Sequence, residues 1–333
     1  MKYLIPLVLL GAITLCACTT EKENEGPDPE PTDTILQELA FSVLPQTPAT
    51  FNLSENADHV NVMGNQRKPL PAFKSLSAKP GKAVGYVKDS YGRPIAGAHI
   101  GIRSSVVGGV YSNGTGVTNE KGYYEFTIPF GTAEFFSAAY TIDYSAGRAA
   151  IGLFPADSTL NSFASEAGVV KNFVLLPYGR GKTDAISEKP WFGRSYFGGS
   201  IFISYDTKEP GDIWAPAGAL LEGSEFELRL EPEEWLFHAA ERKTIVIRKK
   251  TGNLNFTIVN IPVGRYKISA RLVGGGDLRL KEIGPYASSN FGLSPKQAVG
   301  STTIWFNPDG AQASSTAAYT GNWRSIDVKI EMP

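Results

Sequence analysis

The chain has 333 residues, with 32 basic and 33 acidic side chains and a formal net charge of −1. That balance excludes the basic excess carried by nucleic-acid binders and by proteins that dock on anionic membranes. A hydrophobic share of 42% allows a sizeable core, and the length suffices for two domains of about 150 residues each. Glycine (35) and proline (22) punctuate the chain throughout and long helical periodicity is absent, which predicts an all-β protein of short strands.

The first elements in chain order concern address. Lys2 precedes an apolar run from Leu4 to Leu15, the charged-then-apolar layout of a secretory signal. The run is shorter than the about 20 residues that a spanning helix needs. It ends at Leu15-Cys16-Ala17-Cys18, which resembles a bacterial lipobox. The resemblance implies a signal peptide over 1–17, cleavage after Ala17, lipidation of Cys18 and attachment to a membrane through that lipid. The alternative is an ordinary signal peptide with two incidental cysteines. With Cys18 lipidated, no thiol remains for a disulfide, a Cys-metal site or a Cys nucleophile.

Residues 19–34 read TTEKENEGPDPEPTDT, acidic, proline-rich and without a large apolar side chain. Such a segment cannot bury enough surface to offset chain entropy, so 18–34 is expected to be a lipidated cysteine followed by a disordered spacer. Its start is similar to the acidic segment of surface-exported lipoproteins of Bacteroidetes-type bacteria; a merely solvated spacer is the other reading. Residues 35–80 hold strand-compatible runs, Ile35–Leu44 and Thr50–Val62, broken by Pro45, Pro48, Pro69, Pro71 and Pro80. They form an N-terminal extension of open fold, either a short leading subdomain or strands that pack on the first domain.

From Lys82 the pattern sharpens. Ala83–Val87 alternates as a strand, Asp89-Ser90-Tyr91-Gly92-Arg93-Pro94 is a turn, and Ile95–Ile102 alternates again. A polar, glycine-rich stretch covers Arg103–Gly116. Val117–Pro129 then reads as strand, tight turn and strand, with Asn119 and Gly122 supplying the turn and Tyr124, Phe126 and Ile128 sharing a face. Further strands are predicted at Ala138–Tyr144, Ala149–Phe154 and Val170–Pro177.

Gly85, Val87, Asp89, Gly92, Pro94, Ile95, Gly97, Ala98, Gly116, Thr118, Asn119, Gly122, Tyr124 and Phe126, with Pro129 and Gly131 at the exit, follow in order the pattern of the carboxypeptidase regulatory-like domain. Residues 82–177 resemble that family, which implies a small prealbumin-like (transthyretin-like) Greek-key sandwich. Zinc carboxypeptidases carry such a domain beside a catalytic one with His and Glu ligands. Here the three histidines, His59, His99 and His238, are far apart, and no H-x-x-E or H-E-x-x-H occurs.

Residues 190–333 are predicted to form a second β-sandwich. Trp191–Gly199 reads as a junction, and Ser200–Tyr205, Phe226–Leu230, Thr244–Arg248 and Leu254–Val259 alternate with period two. Asn260–Ala270 is similar to a strand motif of prealbumin-like folds, and Ser325–Pro333 echoes the close of the first domain. A distant repeat of the first sandwich and a jelly-roll-like sandwich are both compatible. Gly274-Gly275-Gly276-Asp277 reads as a hairpin loop.

All five tryptophans lie in this half. Trp214, Trp235, Trp305 and Trp323 sit beside turn residues and acids or amides, where indole faces stack on pyranose C–H groups; the alternative for each is core burial. They are the candidate ligand-binding residues, and no catalytic residue, metal site or cofactor is assigned. Asp89, Asn119, Glu120 and Asp157 read as turn formers and not as Ca²⁺ ligands. No G-x-S-x-G, P-loop or G-x-G-x-x-G is present.

The expectation is therefore an all-β chain of tandem β-sandwiches, the first a prealbumin-like Greek key, preceded by a signal peptide and disordered linker. In function it is read as a non-catalytic outer-membrane lipoprotein, on the cell surface or the periplasmic face. Its expected partners are the membrane through Cys18, a glycan ligand and a protein of an outer-membrane complex, with no nucleic acid. A structural lipoprotein acting through sheet edges is the second reading. A glycan-active enzyme is the third, and would need two opposed carboxylates that one sequence does not locate.

Overall fold

Two Asx turns organise the start of the first sandwich. The Asp89 carboxylate accepts the amides of Tyr91 (2.8 Å) and Arg93 (2.9 Å), with Gly92 at φ 90°. The Asn119 side chain accepts those of Lys121 (2.9 Å) and Tyr123 (3.1 Å), with Gly122 at φ 70°. Both glycines occupy a backbone region that side chains disfavour. The structure, a computed structural model, describes residues 35–38, 47–65, 70–182, 189–235 and 243–333. The expected signal peptide, Cys18 and the linker lie outside the described residues.

Before the first sandwich come β1 (Ala49–Leu53) and β2 (His59–Asn61). The sandwich itself uses β3 (Lys82–Asp89), β4 (His99–Ser105), β5 (Ser112–Val117), β6 (Tyr123–Thr127), β7 (Thr132–Tyr144), β8 (Gly147–Gly152), β9 (Phe154–Pro155), β10 (Phe163–Ala164), β11 (Val169–Val170) and β12 (Phe173–Leu175). One sheet is ordered β10-β7-β4-β5, with β8 also on β7; the other is β11-β3-β12-β9, with β6 on β3. Phe135 on β7 meets Phe173 on β12 edge-on at 5.6 Å, joining the two sheets through the core. Ile100, Ile102, Tyr124 and Phe154 are buried there, each contributing about 1.5–3 kcal/mol for apolar side-chain burial. The Tyr124 hydroxyl donates to the Lys171 carbonyl at 2.6 Å, which requires Gly85 between them to lack a side chain.

The second sandwich contains β13 (Gly199–Ser204), a ribbon of β14 (Thr207–Lys208) and β15 (Leu220–Leu221), β16 (Glu225–Trp235), β17 (Ile245–Lys250), β18 (Asn255–Ile261), β19 (Gly264–Leu272), β20 (Arg279–Ile283), β21 (Gly292–Ser294), β22 (Gln297–Val299) and β23 (Ser301–Trp305). A ribbon of β24 (Asn307–Pro308) and β25 (Trp323–Arg324) precedes the last strand, β26 (Ile326–Glu331). Its six-stranded sheets are β1-β17-β16-β19-β23-β21 and β2-β18-β13-β26-β20-β22. Phe226 on β16 lies 6.3 Å from Phe256 on β18, ring to ring across the core. The fold is all-β, two sandwiches in tandem.

The N-terminal extension departs from both alternatives set out above. Its strands join the second sandwich, β1 parallel to β17 and β2 parallel to β18. Without them β17 and β18 would be open edges with unpaired backbone groups, and one short segment closes both. The Lys249 side chain, 0% exposed, fastens it by donating to the carbonyls of Ser54 (2.8 Å) and Glu55 (2.7 Å). Asn260 adds bonds to Asn61 Oδ1 (3.0 Å) and the Gly64 carbonyl (2.8 Å). The flanks return to the first sandwich, where Glu38 pairs with Arg93 at 2.9 Å and Lys79 with Glu125 at 2.6 Å.

The sandwiches meet through a packed junction. Tyr144 at the end of β7 is ringed by Phe291, Trp305 and Trp323 at centroid distances of 5.7, 4.9 and 5.2 Å. Residues 310–319 lie along β7 and β8, with backbone bonds Ala138 N–H to Thr316 O (3.3 Å), Ala150 N–H to Gly310 O (2.9 Å) and Tyr319 N–H to Leu153 O (2.9 Å).

Candidate functional site

The outer face of the sheet containing β13 carries the candidate site. Ile201, Ile203, Ile258, Ile326 and Val328 point to the core, so the alternate residues face outward. Phe202 pairs in register with Thr257 on β18 and with Asp327 on β26, which sets the three side chains in one row. Over this row opens a groove of about 760 Å³, within the size range of small-ligand sites.

Three loops build its rim. Trp191, 45% exposed, and Arg194 come from a short turn closed by Phe192 N–H to Lys189 O (3.1 Å) and Ser195 N–H to Phe192 O (3.0 Å). Tyr286, 39% exposed, comes from a turn in which the Ser289 amide bonds the Tyr286 carbonyl at 2.9 Å. Asp309 and Arg324 come from the β24–β25 ribbon. Arg324 Nε donates to Asp309 Oδ1 at 2.8 Å, Arg194 Nη2 lies 3.3 Å from Asp309 Oδ2, and the Arg324 guanidinium stands 4.6 Å over the Tyr286 ring. This bracket fixes the ring and keeps both guanidiniums in place.

Three polar groups around the floor are left unbonded by the described residues. The hydroxyl oxygens of Ser200 and Ser325 are buried and have no partner among the described residues, an uncommon state for buried polar atoms. The Asp327 carboxylate, half-buried, has no hydrogen bond or ion pair among the described residues, and burial holds its pKa above the usual aspartate value. The groove therefore offers two aromatic rings at its rim and a free carboxylate beneath them, while the Ser200 hydroxyl is covered by Gly193 and that of Ser325 is buried.

The four tryptophans singled out from sequence are scattered. Trp214 is 89% exposed on the loop between β14 and β15. The backbone of Trp235 ends β16, and its side chain lies outside the described residues. Trp323 is among the residues lining the groove yet is 1% exposed: its Nε1 donates to the Phe197 carbonyl at 3.0 Å, and its ring packs on Tyr144 and Phe306. Trp305, partly buried, is held edge-on against Tyr144 with the Arg265 guanidinium 5.7 Å from its ring. Both indoles serve the junction because a tandem sandwich must bury apolar area between its halves. Trp191, read as a junction residue, stands instead at the rim, and Tyr286 carried no sequence signal. Of the turn formers, Asp89 and Asn119 accept turn amides, and Asp157 pairs with Lys171 at 2.6 Å.

No protein-family model matches the chain. No curated protein matches it either. Among solved structures it is similar to the Bacillus anthracis TIE protein at 14% identity and a TM-score of 0.28, covering 75% of this chain and 34% of that one. It is also similar to a streptococcal ancillary pilin, at 10% identity and TM-score 0.23 over 75% of this chain and 69% of that one. A third likeness is to the shaft pilin SpaA from Lactobacillus rhamnosus GG, at 12% identity and TM-score 0.21 over 76% and 98%. The chain spans about a third of the length of the Bacillus anthracis protein.

Among the described residues no three or more His, Cys, Asp or Glu side chains converge as a metal site, and no helix is long and apolar enough to cross a membrane.

Proposed function

We propose that this chain is a non-catalytic accessory lipoprotein, anchored to a membrane through Cys18, whose second sandwich binds glycan in the groove between Trp191 and Tyr286. One observation carries the reading. Two exposed aromatic rings, Trp191 and Tyr286, flank a groove whose floor carries the half-buried carboxylate of Asp327, unpaired among the described residues. Ring faces pack on the C–H faces of a pyranose, while the Asp327 carboxylate accepts from its hydroxyls. The groove does not favour hydrolysis, because Asp309 is held by two guanidiniums and Asp327 stands without a free carboxylate opposite it among the groove residues. The anchor and the outer-membrane address rest on the leader and on Cys18. The carboxypeptidase regulatory-like, prealbumin-like reading of 82–177 rests on the ordered motif and the paired sheets.

All described contacts fall within one compact unit, Pro31–Pro333, so a chain from residue 19 keeps them. Titration calorimetry of that chain against a glycan panel is expected to give binding that Trp191→Ala weakens at least about tenfold. Absence of binding across the panel overturns the reading. Anchoring is tested separately, by the membrane partition of the full chain with Cys18→Ala.

A second reading, contact with a protein partner through a sheet edge, has its own support. Val106, Val107 and Val110 are each about 70% exposed beside the edge strand β5, and Phe130 is 65% exposed. Crosslinking to one defined protein, without glycan affinity, would favour it.

A further inference from the structure

We propose, resting on the glycan reading of the groove, that the ligand is a polymer chain and that Trp214 is its second aromatic platform. The track would run from Trp191 along the outer face of β13 and β26.

Trp214 is 89% exposed and its neighbour Ile213 83% exposed, although indole is among the side chains that gain most from burial. Among the described residues no ring or cation packs on it. Its loop is nevertheless ordered: the Trp214 amide donates to Asp212 Oδ1 at 2.9 Å, Asp212 N–H bonds Glu209 O at 3.2 Å, and Ala219 N–H bonds Pro216 O at 3.1 Å. A ring presented on a preordered loop loses little entropy when a ligand stacks on it.

The loop reaches the face that bears the groove. Gly218 O accepts the Met332 amide at 2.8 Å, and a Cβ at Gly218 would stand 3.0 Å from the Glu331 side chain, which faces outward. Asp327 in the groove and Glu331 beside the loop share one strand, about 13 Å apart at ordinary strand rise. Between them the floor is polar, with Lys329 paired to Asp206 (2.8 Å) and to Glu331 (3.2 Å), Arg279 4.0 Å from Glu331, and Ser204 beside Lys329 in register. A hydroxyl-rich chain lies easily on such a floor. An apolar peptide or a lipid tail would not, since it would desolvate the ion pairs without replacing their water contacts.

The test is calorimetry of residues 19–333 with cello-, xylo- and manno-oligosaccharides from disaccharide to octasaccharide. For the series that binds, affinity is expected to rise about tenfold or more with length. Trp214→Ala is expected to remove most of that rise and to leave disaccharide affinity within about twofold, with Trp214→Phe restoring part of it. Trp191→Ala should weaken short and long ligands alike. Length-independent affinity, or a Trp214→Ala effect equal on short and long ligands, overturns the track and leaves the groove reading standing. Failure of every oligosaccharide overturns both. Trp214 is exposed, so its replacement does not threaten the fold.

Discussion

The Tyr144 hydroxyl, at the end of the long strand β7, accepts the backbone amide of Phe306 in the second sandwich at 2.8 Å. Both residues are buried, so this bond and the ring cluster around it tie the sandwiches together without water. Tyr144→Phe keeps the packing and leaves the Phe306 N–H unpaired, at an expected loss of about 1–3 kcal/mol in urea unfolding. Tyr144→Ala should cost about 3–5 kcal/mol and separate the unfolding of the two halves into distinct transitions.

The clip formed by β1 and β2 depends on Lys249. Lys249→Ala strands the Ser54 and Glu55 carbonyls and opens a cavity, for an expected loss of about 2–4 kcal/mol. Hydrogen exchange should speed up first in 49–61, ahead of the rest of the second sandwich. Uniform exchange across the chain would contradict this.

Gly85→Ala would drive its Cβ into the Lys171 carbonyl oxygen and crowd the Tyr124 hydroxyl. Backbone cannot yield there without breaking the pairing of β3 with its neighbours. The expected cost is about 3 kcal/mol or more, read as a lowered urea midpoint or as loss of soluble protein. A neutral outcome would show that β3 and residue 171 do not approach as described.

Asp327 supplies a pH test. Burial raises its pKa in the folded chain, so between the unfolded and folded values the native state holds more protons. Stability from this group therefore falls as pH rises through that window, and the deficit persists at neutral pH. Asp327→Asn is expected to melt higher than the parent at pH 7, with the difference closing as pH drops below the ordinary aspartate range. Equal melting temperatures across pH would mean that the carboxylate has a partner.

Much of the architecture was readable because its causes are local. Asp89 with Gly92, and Asn119 with Gly122, mark turns through bonds that span two to four residues. Alternation at Phe226–Leu230 and Ser200–Tyr205 marks strands whose buried face repeats every second residue. The Gly274–Asp277 stretch closes as a loop, with the Leu272 amide on the Gly276 carbonyl at 3.0 Å. Strand β5 was masked within a polar stretch because Gly114 and Gly116 must leave room for Phe126 and Thr127. The partners of β1 and β2 had no local signature, since Ser54 and Lys249 stand 195 positions apart. The groove was illegible for a similar reason: Trp191, Tyr286 and Asp327 come from three distant segments. Sequence also does not distinguish an exposed indole from a buried one: Trp191 stands exposed at the groove, whereas Trp323, lining the same groove, is buried.

The same clip has a consequence for biogenesis. Residues 49–61 are made early, yet the edges they close belong to strands synthesised far later, and β13 waits longer still for β26 at the end of the chain. A nascent chain of this design keeps its second sandwich open until β26 has emerged. Truncation before Ile326 should accordingly leave residues 49–61 sensitive to protease, whereas the full-length protein resists cleavage there.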